Sequence, residues 1–248
     1  MKKIFFGSVT IFFASIIILC SCSKSSNSVR TTDLPAVYKK IYGATNMYAE
    51  GDVLVIQCKG LPDHKSPYYE DTKDSAMYEA YNGENPGFML AMGKIEAMNY
   101  TFTIPLHPKE AEHKQATQLG PIGIAVNGVP FFNQYNGMGQ ALTTEINTFD
   151  QYNGHPTPDN AYHYHAEPYY LTTNKGKDAL LGFLLDGFPV YGPVENGKVI
   201  SNDSLDNYHG HFGVTADYPN GIYHYHITST DPYINGDGYY GEPGTVSF

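Results

Sequence analysis

The chain has 248 residues, with 15 basic and 25 acidic side chains and a formal net charge of -10. That length suits one domain or at most two small ones. The acidic balance excludes nucleic acid as a partner, which needs a basic face. A hydrophobic share of 42% with 14% aromatics implies a folded core, while 25 Gly and 16 Pro argue against a helical bundle and for short strands joined by turns. Seven of the ten His fall between residues 155 and 226.

Lys2 and Lys3 precede an apolar run from Ile4 to Leu19, followed by Cys20-Ser21-Cys22. This is the order of a signal peptide ending in a lipoprotein cleavage site, with residues 1–21 removed and Cys22 acylated. The expected location is the cell envelope, extracytoplasmic, with a lipid anchor in a membrane. Loss of Lys2 and Lys3 leaves 13 basic against 25 acidic residues, a net charge of -12. Cys58 then has no partner for an intrachain disulfide. It sits in Val53-Leu54-Val55-Ile56-Gln57-Cys58 and reads as a buried small hydrophobe in a strand, with metal ligation as the minor alternative. Residues 22–45 begin with a Ser-rich stretch and read as a flexible tether to a domain spanning 46–248.

Asp52–Cys58 and Tyr100–Ile104 read as strands, residues 60–67 as a loop, and Pro108–Lys114 as a helical turn. Downstream the chain repeats itself. Ile122-Gly123-Ile124-Ala125-Val126-Asn127-Gly128-Val129-Pro130 matches Leu181-Gly182-Phe183-Leu184-Leu185-Asp186-Gly187-Phe188-Pro189 at an offset of 59. Each copy is a strand, an Asn-Gly or Asp-Gly turn expected to supply positive φ angles, and a second short strand. Each then reaches an Asp (Asp150, Asp206), a Gly-His (Gly154-His155, Gly210-His211) and the same tetrapeptide, Tyr162 to His165 and Tyr223 to His226. The fold class is therefore mainly β: a single all-β domain with an internal duplication of about 60 residues, small helical insertions, and repeat units at about 120–165 and 180–226.

In a strand, His163 and His165 point the same way at roughly 6.6–7 Å, as do His224 and His226. Paired imidazoles at this spacing can converge on one ion. With His155 and His211 each copy has three nitrogens, enough for an open metal site. Imidazole suits copper and zinc, and the lack of a thiolate pair disfavours Cys-rich centres. A pseudo-twofold axis allows either one shared cleft or two separate sites. Asp150, Asp206 and Asp159 are candidates to hold the second ring nitrogens, with plain turn residues as the alternative. His209 is a further candidate ligand, whereas His107 and His113 read as solvated surface groups. The loop at Asn235-Gly236-Asp237-Gly238 lacks calcium-site spacing and reads as a turn.

These motifs, with Gly60-Leu61-Pro62-Asp63-His64 and Leu185 to Pro193, resemble the YHYH domain family over about Tyr48 to Phe248. The resemblance implies export, adds His64 as a candidate ligand, and carries no reaction. Relatives often place Cys before Gly-His, where this chain has Tyr152 and either Tyr208 or His209. If those Cys pair in relatives, this chain lacks that staple. The function expected is a lipoprotein that binds a transition metal, copper or zinc, for metal handling or metal-dependent chemistry. No enzyme activity is assigned; for hydrolysis by metal-activated water, Asp159 or Glu167 would be the base. The alternatives are a metal-free ligand- or glycan-binding lipoprotein and a structural module.

Overall fold

A computed structural model of the chain describes Met1, residues 30–236 and residues 238–248. The signal run, Cys22 and the first part of the tether lie outside the described residues, as does Asp237. Strands dominate what is described, with one short α-helix, so the mainly β reading holds. Among the described residues no helix is long and apolar enough to cross a membrane.

An antiparallel sheet of five strands comes first. It contains β1 (Arg30–Thr31), β2 (Ala44–Glu50), β3 (Val53–Cys58) and β4 (Tyr100–Pro105), and closes on a strand at the C-terminal end. Tyr100, Phe102 and Ile104 alternate with half-buried Thr101, Thr103 and Pro105, the pattern of a strand with one face on the core. Cys58 is buried in β3 and burial pushes its thiol up to about 11, in keeping with a structural role. Leu34, Tyr38 and Ile41 are also core residues, so the packed fold reaches back into the stretch read as tether. The stretch read as a helical turn is instead β5 (Glu110–Gln115), paired with a late strand; its charged residues lie mostly on an exposed ribbon.

The duplicated region forms one sheet of eight strands: β6 (Pro121–Ala125), β7 (Pro130–Phe132), β8 (Gly154–Pro156), β9 (Tyr162–Tyr164), then β10 (Leu180–Leu184), β11 (Pro189–Tyr191), and two strands, Gly210–Gly213 and Ile222–His226. The short helix α1 (Tyr169–Lys175) links the copies. A small ribbon of β12 (Val194–Glu195) and β13 (Lys198–Val199) interrupts the second copy, so its last two sheet strands are β14 and β15. The sheet order is β14-β15-β11-β10-β6-β7-β9-β8. Exchanging each strand for its repeat counterpart reverses that order onto itself. At the centre, Ile124 of β6 pairs with Phe183 of β10, its own counterpart at the offset of 59. The pseudo-twofold axis therefore passes through this pair. Both faces of the centre are buried: every residue of β6 and β10 is.

The hairpin turns differ from the expected form. Gly128 and Gly187 have φ of 85° and 82°, but Asn127 and Asp186 do not share the positive φ. The N–H of each Gly bonds back three residues, to Ala125 and Leu184, and the strands then pair around it. This is a type I turn followed by a left-handed glycine, a three-residue loop rather than a two-residue one. The Asn and Asp side chains are thereby free to reach elsewhere.

Candidate metal centres

Two clusters, each of three His and one Glu, lie near opposite ends of the eight-stranded sheet: Glu145 with His155, His163 and His165, and Glu195 with His211, His224 and His226. In each, one potential ligand atom per residue lies within 4.8 Å of all the others. β9 and β15 are five strand spacings apart, roughly 24 Å at 4.7–4.9 Å each. A shared cleft is thus excluded, and each Gly-His joins its own tetrapeptide.

Strand geometry brings the imidazoles together. His163 and His165 are two residues apart on one face, and His155 pairs directly across with His163. In the second copy His211 pairs with His224 in the same way. Directly opposite residues in an antiparallel ladder have Cβ atoms about 4.5–5.5 Å apart, which suits rings that share one target. Ring centroids are 4.5, 4.7 and 5.4 Å apart in the first cluster and 4.6, 4.9 and 5.1 Å in the second. The Gly before each His is required by the other face of the strand. A Cβ on Gly154 would lie 2.3 Å from the Tyr162 ring, and one on Gly210 would lie 2.5 Å from the Tyr223 hydroxyl.

The tyrosines of the tetrapeptide point away from the clusters and explain the Asp residues. Tyr162 donates to Asp150 Oδ2 at 2.8 Å and Tyr223 to Asp206 Oδ1 at 2.9 Å. Asp150 and Asp206 also accept backbone N–H groups of their own turns, such as Tyr152 and Tyr208. They do not orient imidazoles, and Asp159 is exposed. Backbone carbonyls do that work instead. His163 and His224 Nδ1 donate to Ala161 O and Ile222 O, each at 3.0 Å. His165 and His226 Nδ1 donate to Asn133 O at 2.5 Å and Gly192 O at 2.8 Å, and these two carbonyls are repeat counterparts. A carbonyl can only accept, so each Nδ1 carries the proton and each Nε2 presents a lone pair. His155 Nδ1 lies 2.7 Å from Thr148 Oγ1, whose own proton goes to Glu145 O, so the same tautomer follows.

The Nε2 atoms of His155, His211, His224 and His226 are buried without a hydrogen-bond partner. Those of His163 and His165 face each other at 2.9 Å. Burial, with the neighbouring imidazoles, holds His163 well below the usual histidine range and His165 at about 3. Burial likewise lowers His224, and His226 to about 4. At neutral pH these rings are uncharged, the form that ligates metal. Glu145 Oε1 lies 3.3 Å from His155 Nε2, and Glu195 Oε1 lies 3.4 Å from His224 Nε2. With the ring protons on Nδ1, these carboxylates converge as further donors to a common centre rather than as hydrogen-bond acceptors.

Three named candidates stand elsewhere. His64 lies outside both clusters: its Nδ1 reaches Lys65 O, its Nε2 reaches the Tyr164 hydroxyl, and Tyr152, Tyr162 and Tyr170 surround it. Both its nitrogens are satisfied. His209 has a φ of 74° and fills the left-handed turn position that Asn153 fills in the first copy; its Nε2 reaches Thr228 Oγ1. Glu167 accepts from Thr172 and pairs with Lys177, away from the imidazoles. His107 and His113 are exposed, as expected. The sequence reading missed Glu145 and Glu195. For Glu195 a signal existed: Val194-Glu195-Asn196-Gly197-Lys198-Val199 is a two-residue hairpin pattern, and Asn196 and Gly197 do adopt φ of 51° and 73°. For Glu145, in a single 3-10 turn, there was none.

The model of the YHYH protein family matches residues 101–199 and 195–238, more than half of the chain. The chain belongs to the YHYH protein family. The matched span holds the duplicated sheet and both His clusters, and starts later than the Tyr48 suggested by the motifs alone. No curated protein and no solved structure matches the chain. In this YHYH protein, then, the tetrapeptide has two faces: tyrosines that lock the strand to an Asp, and histidines that converge with a Gly-His and a Glu.

Proposed function

We propose that the protein is an extracytoplasmic lipoprotein that binds one transition metal ion, copper or zinc, in each of its two His-Glu clusters. What supports this most is the set of six Nε2 atoms, five of them lone pairs on rings whose Nδ1 donates to a carbonyl or hydroxyl oxygen. Four are buried with no partner and two face each other at 2.9 Å, an arrangement that costs free energy until a cation sits among them. Three imidazoles and a carboxylate fit such an ion, with bonds of about 2.0–2.2 Å, and a further ligand would make it five-coordinate. A bound ion would supply Lewis acidity or an activated water at that position. The chain's own contribution is the fixed tautomer and the mouth through which a ligand arrives.

Metal analysis of the full protein, purified from cells, tests this. Two equivalents of copper or zinc are expected, falling to one in a His163→Ala/His165→Ala variant whose circular dichroism is unchanged. A folded protein that takes up no ion at micromolar supply leaves only the metal-free ligand-binding or structural readings. Anchoring is tested separately by incorporation of labelled palmitate, which Cys22→Ser should abolish.

A further inference from the structure

The whole first cluster lines one cavity, Glu195, His224 and His226 of the second line another, and the two cavities differ in chemistry. The first has a volume of about 510 Å³, the size of a small-molecule site. Its mouth gathers some of the most exposed large apolar side chains of the described residues: Met92 at 88%, Met138 at 78% and Leu119 at 50%. Deeper in, Phe132 lies flat on His163, with centroids 3.8 Å apart and planes 23° from parallel. Glu145 and the three His supply the polar end. The second cavity, about 440 Å³, is lined by Asp178, Glu195, Asn196 and Thr215, with Val194, Val214 and Ala216 as its aliphatic part. There the counterpart of Phe132 is Tyr191, which meets His224 edge-on and ties its hydroxyl to Thr215 and Asp217.

Exposed methionines are costly to solvate and adapt their shape to apolar guests. Here they surround an opening whose far end is metal-ligating nitrogen. We infer that the first centre takes a ligand with a flat apolar body, at least one aromatic ring in size, and a single lone-pair donor that reaches the metal. The second centre takes no such body. This rests on the metal reading above. The body lies along Phe132, Met92, Met138 and Leu119, while the donor enters as a fifth ligand beside the three imidazoles and Glu145. The pair of cavities thus separates two ligand classes on one duplicated scaffold.

Cobalt(II) provides a visible-absorption probe, with imidazole and 4-phenylimidazole as test ligands. The His224→Ala/His226→Ala protein keeps only the first centre, and the His163→Ala/His165→Ala protein only the second. At the first centre the phenyl group should tighten binding roughly tenfold or more, as expected for burying one aromatic ring. At the second the two ligands should bind within about twofold of each other, the range expected when the added ring stays in water. Met92→Lys, at an exposed position, should bring the first centre's preference back towards one without changing the cobalt spectrum. A cobalt spectrum with equal binding of both ligands at the first centre, an equal preference at both centres, or indifference to Met92→Lys overturns this inference and leaves the metal reading intact. Absence of any cobalt spectrum overturns both.

Discussion

The two copies of the repeat keep what holds the imidazoles and diverge in what surrounds them. Counterpart carbonyls, Asn133 and Gly192, orient counterpart histidines, and counterpart aspartates receive counterpart tyrosines. The fourth donor has no such correspondence. Glu145 lies ten residues before His155 on a 3-10 turn, whose counterpart position, at the offset of 56 that relates His155 to His211, is Ser201. Glu195 lies on the β12–β13 hairpin, whose counterpart position is Asn136. A carboxylate thus reaches both clusters from two unrelated segments. The backbone of the sheet dictates where three nitrogens go, whereas the loops had to solve the fourth position twice. That independent arrival is easier to explain by a shared demand of the centre than by inheritance of the duplicated strand.

The largest effect expected is on stoichiometry, and it decides whether the copies are two sites or one. His163→Ala/His165→Ala and His224→Ala/His226→Ala should each remove one metal equivalent and leave the other with unchanged affinity, because sites roughly 24 Å apart share no ligand. Equilibrium dialysis against a buffered ion measures both. Loss of both equivalents from either variant would break the picture of two independent centres.

A second test sharpens a difference behind the sites. Asp186 and Asn127 are counterparts. Asn127 donates to the Tyr164 hydroxyl, while Asp186 accepts from Tyr225 and from the N–H of Gly241. Burial, partly offset by these hydrogen bonds, pushes Asp186 from 3.8 up to about 6. A folded pKa above the unfolded one means the group's stabilising share is complete below about pH 4 and is lost as pH rises through about 6. The loss is about 3 kcal/mol. The depressed histidines act in the opposite sense, costing stability as pH falls below their unfolded value of 6.5. Only a difference between two proteins therefore isolates Asp186. Urea unfolding of wild type and Asp186→Asn at pH 4, 5, 6 and 7 should show a gap that changes by about that amount, to the wild type's relative disadvantage at pH 7. A gap independent of pH would sink the assignment.

Much of this was readable in the chain. Alternation in Tyr-His-Tyr-His, the Asn-Gly and Asp-Gly turns and the offset of 59 carry the sheet, its twofold order and the six imidazoles, because each depends on neighbours within a strand or hairpin. What failed depends on distant partners. Asp150 and Asp206 looked like companions of histidine because they precede Gly-His, but strand alternation puts tyrosine on their side. His209 and His64 carried the right side chain, yet one serves a turn and the other satisfies both its nitrogens against Lys65 and Tyr164. Pro108–Lys114 looked helical because its charges mask a strand, Glu110–Gln115, that finds its partner, Tyr239–Gly241, more than a hundred residues on.

The smallest effect expected concerns a single hydroxyl, and it tests whether the centres are held equally well. Thr148 Oγ1 donates to Glu145 O at 2.7 Å and accepts from His155 Nδ1, so one side chain joins the carboxylate's turn to an imidazole. Its counterpart, Ser204, makes the same bond to Ser201 O at 2.7 Å, but that turn is exposed and carries no ligand. Removing a partner that orients a ligating histidine lowers metal affinity by about 10–100-fold. Thr148→Val should do so at the first centre alone, since valine keeps the shape and loses the acceptor. Thr148→Ser, which restores the hydroxyl, should restore affinity, and Ser204→Ala should leave the second centre unchanged. Competition with a chromophoric chelator, in proteins that keep one centre each, measures all three. If Thr148→Val binds as tightly as wild type, His155 is positioned by its strand alone, and the turn serves the first centre only through the Glu145 carboxylate.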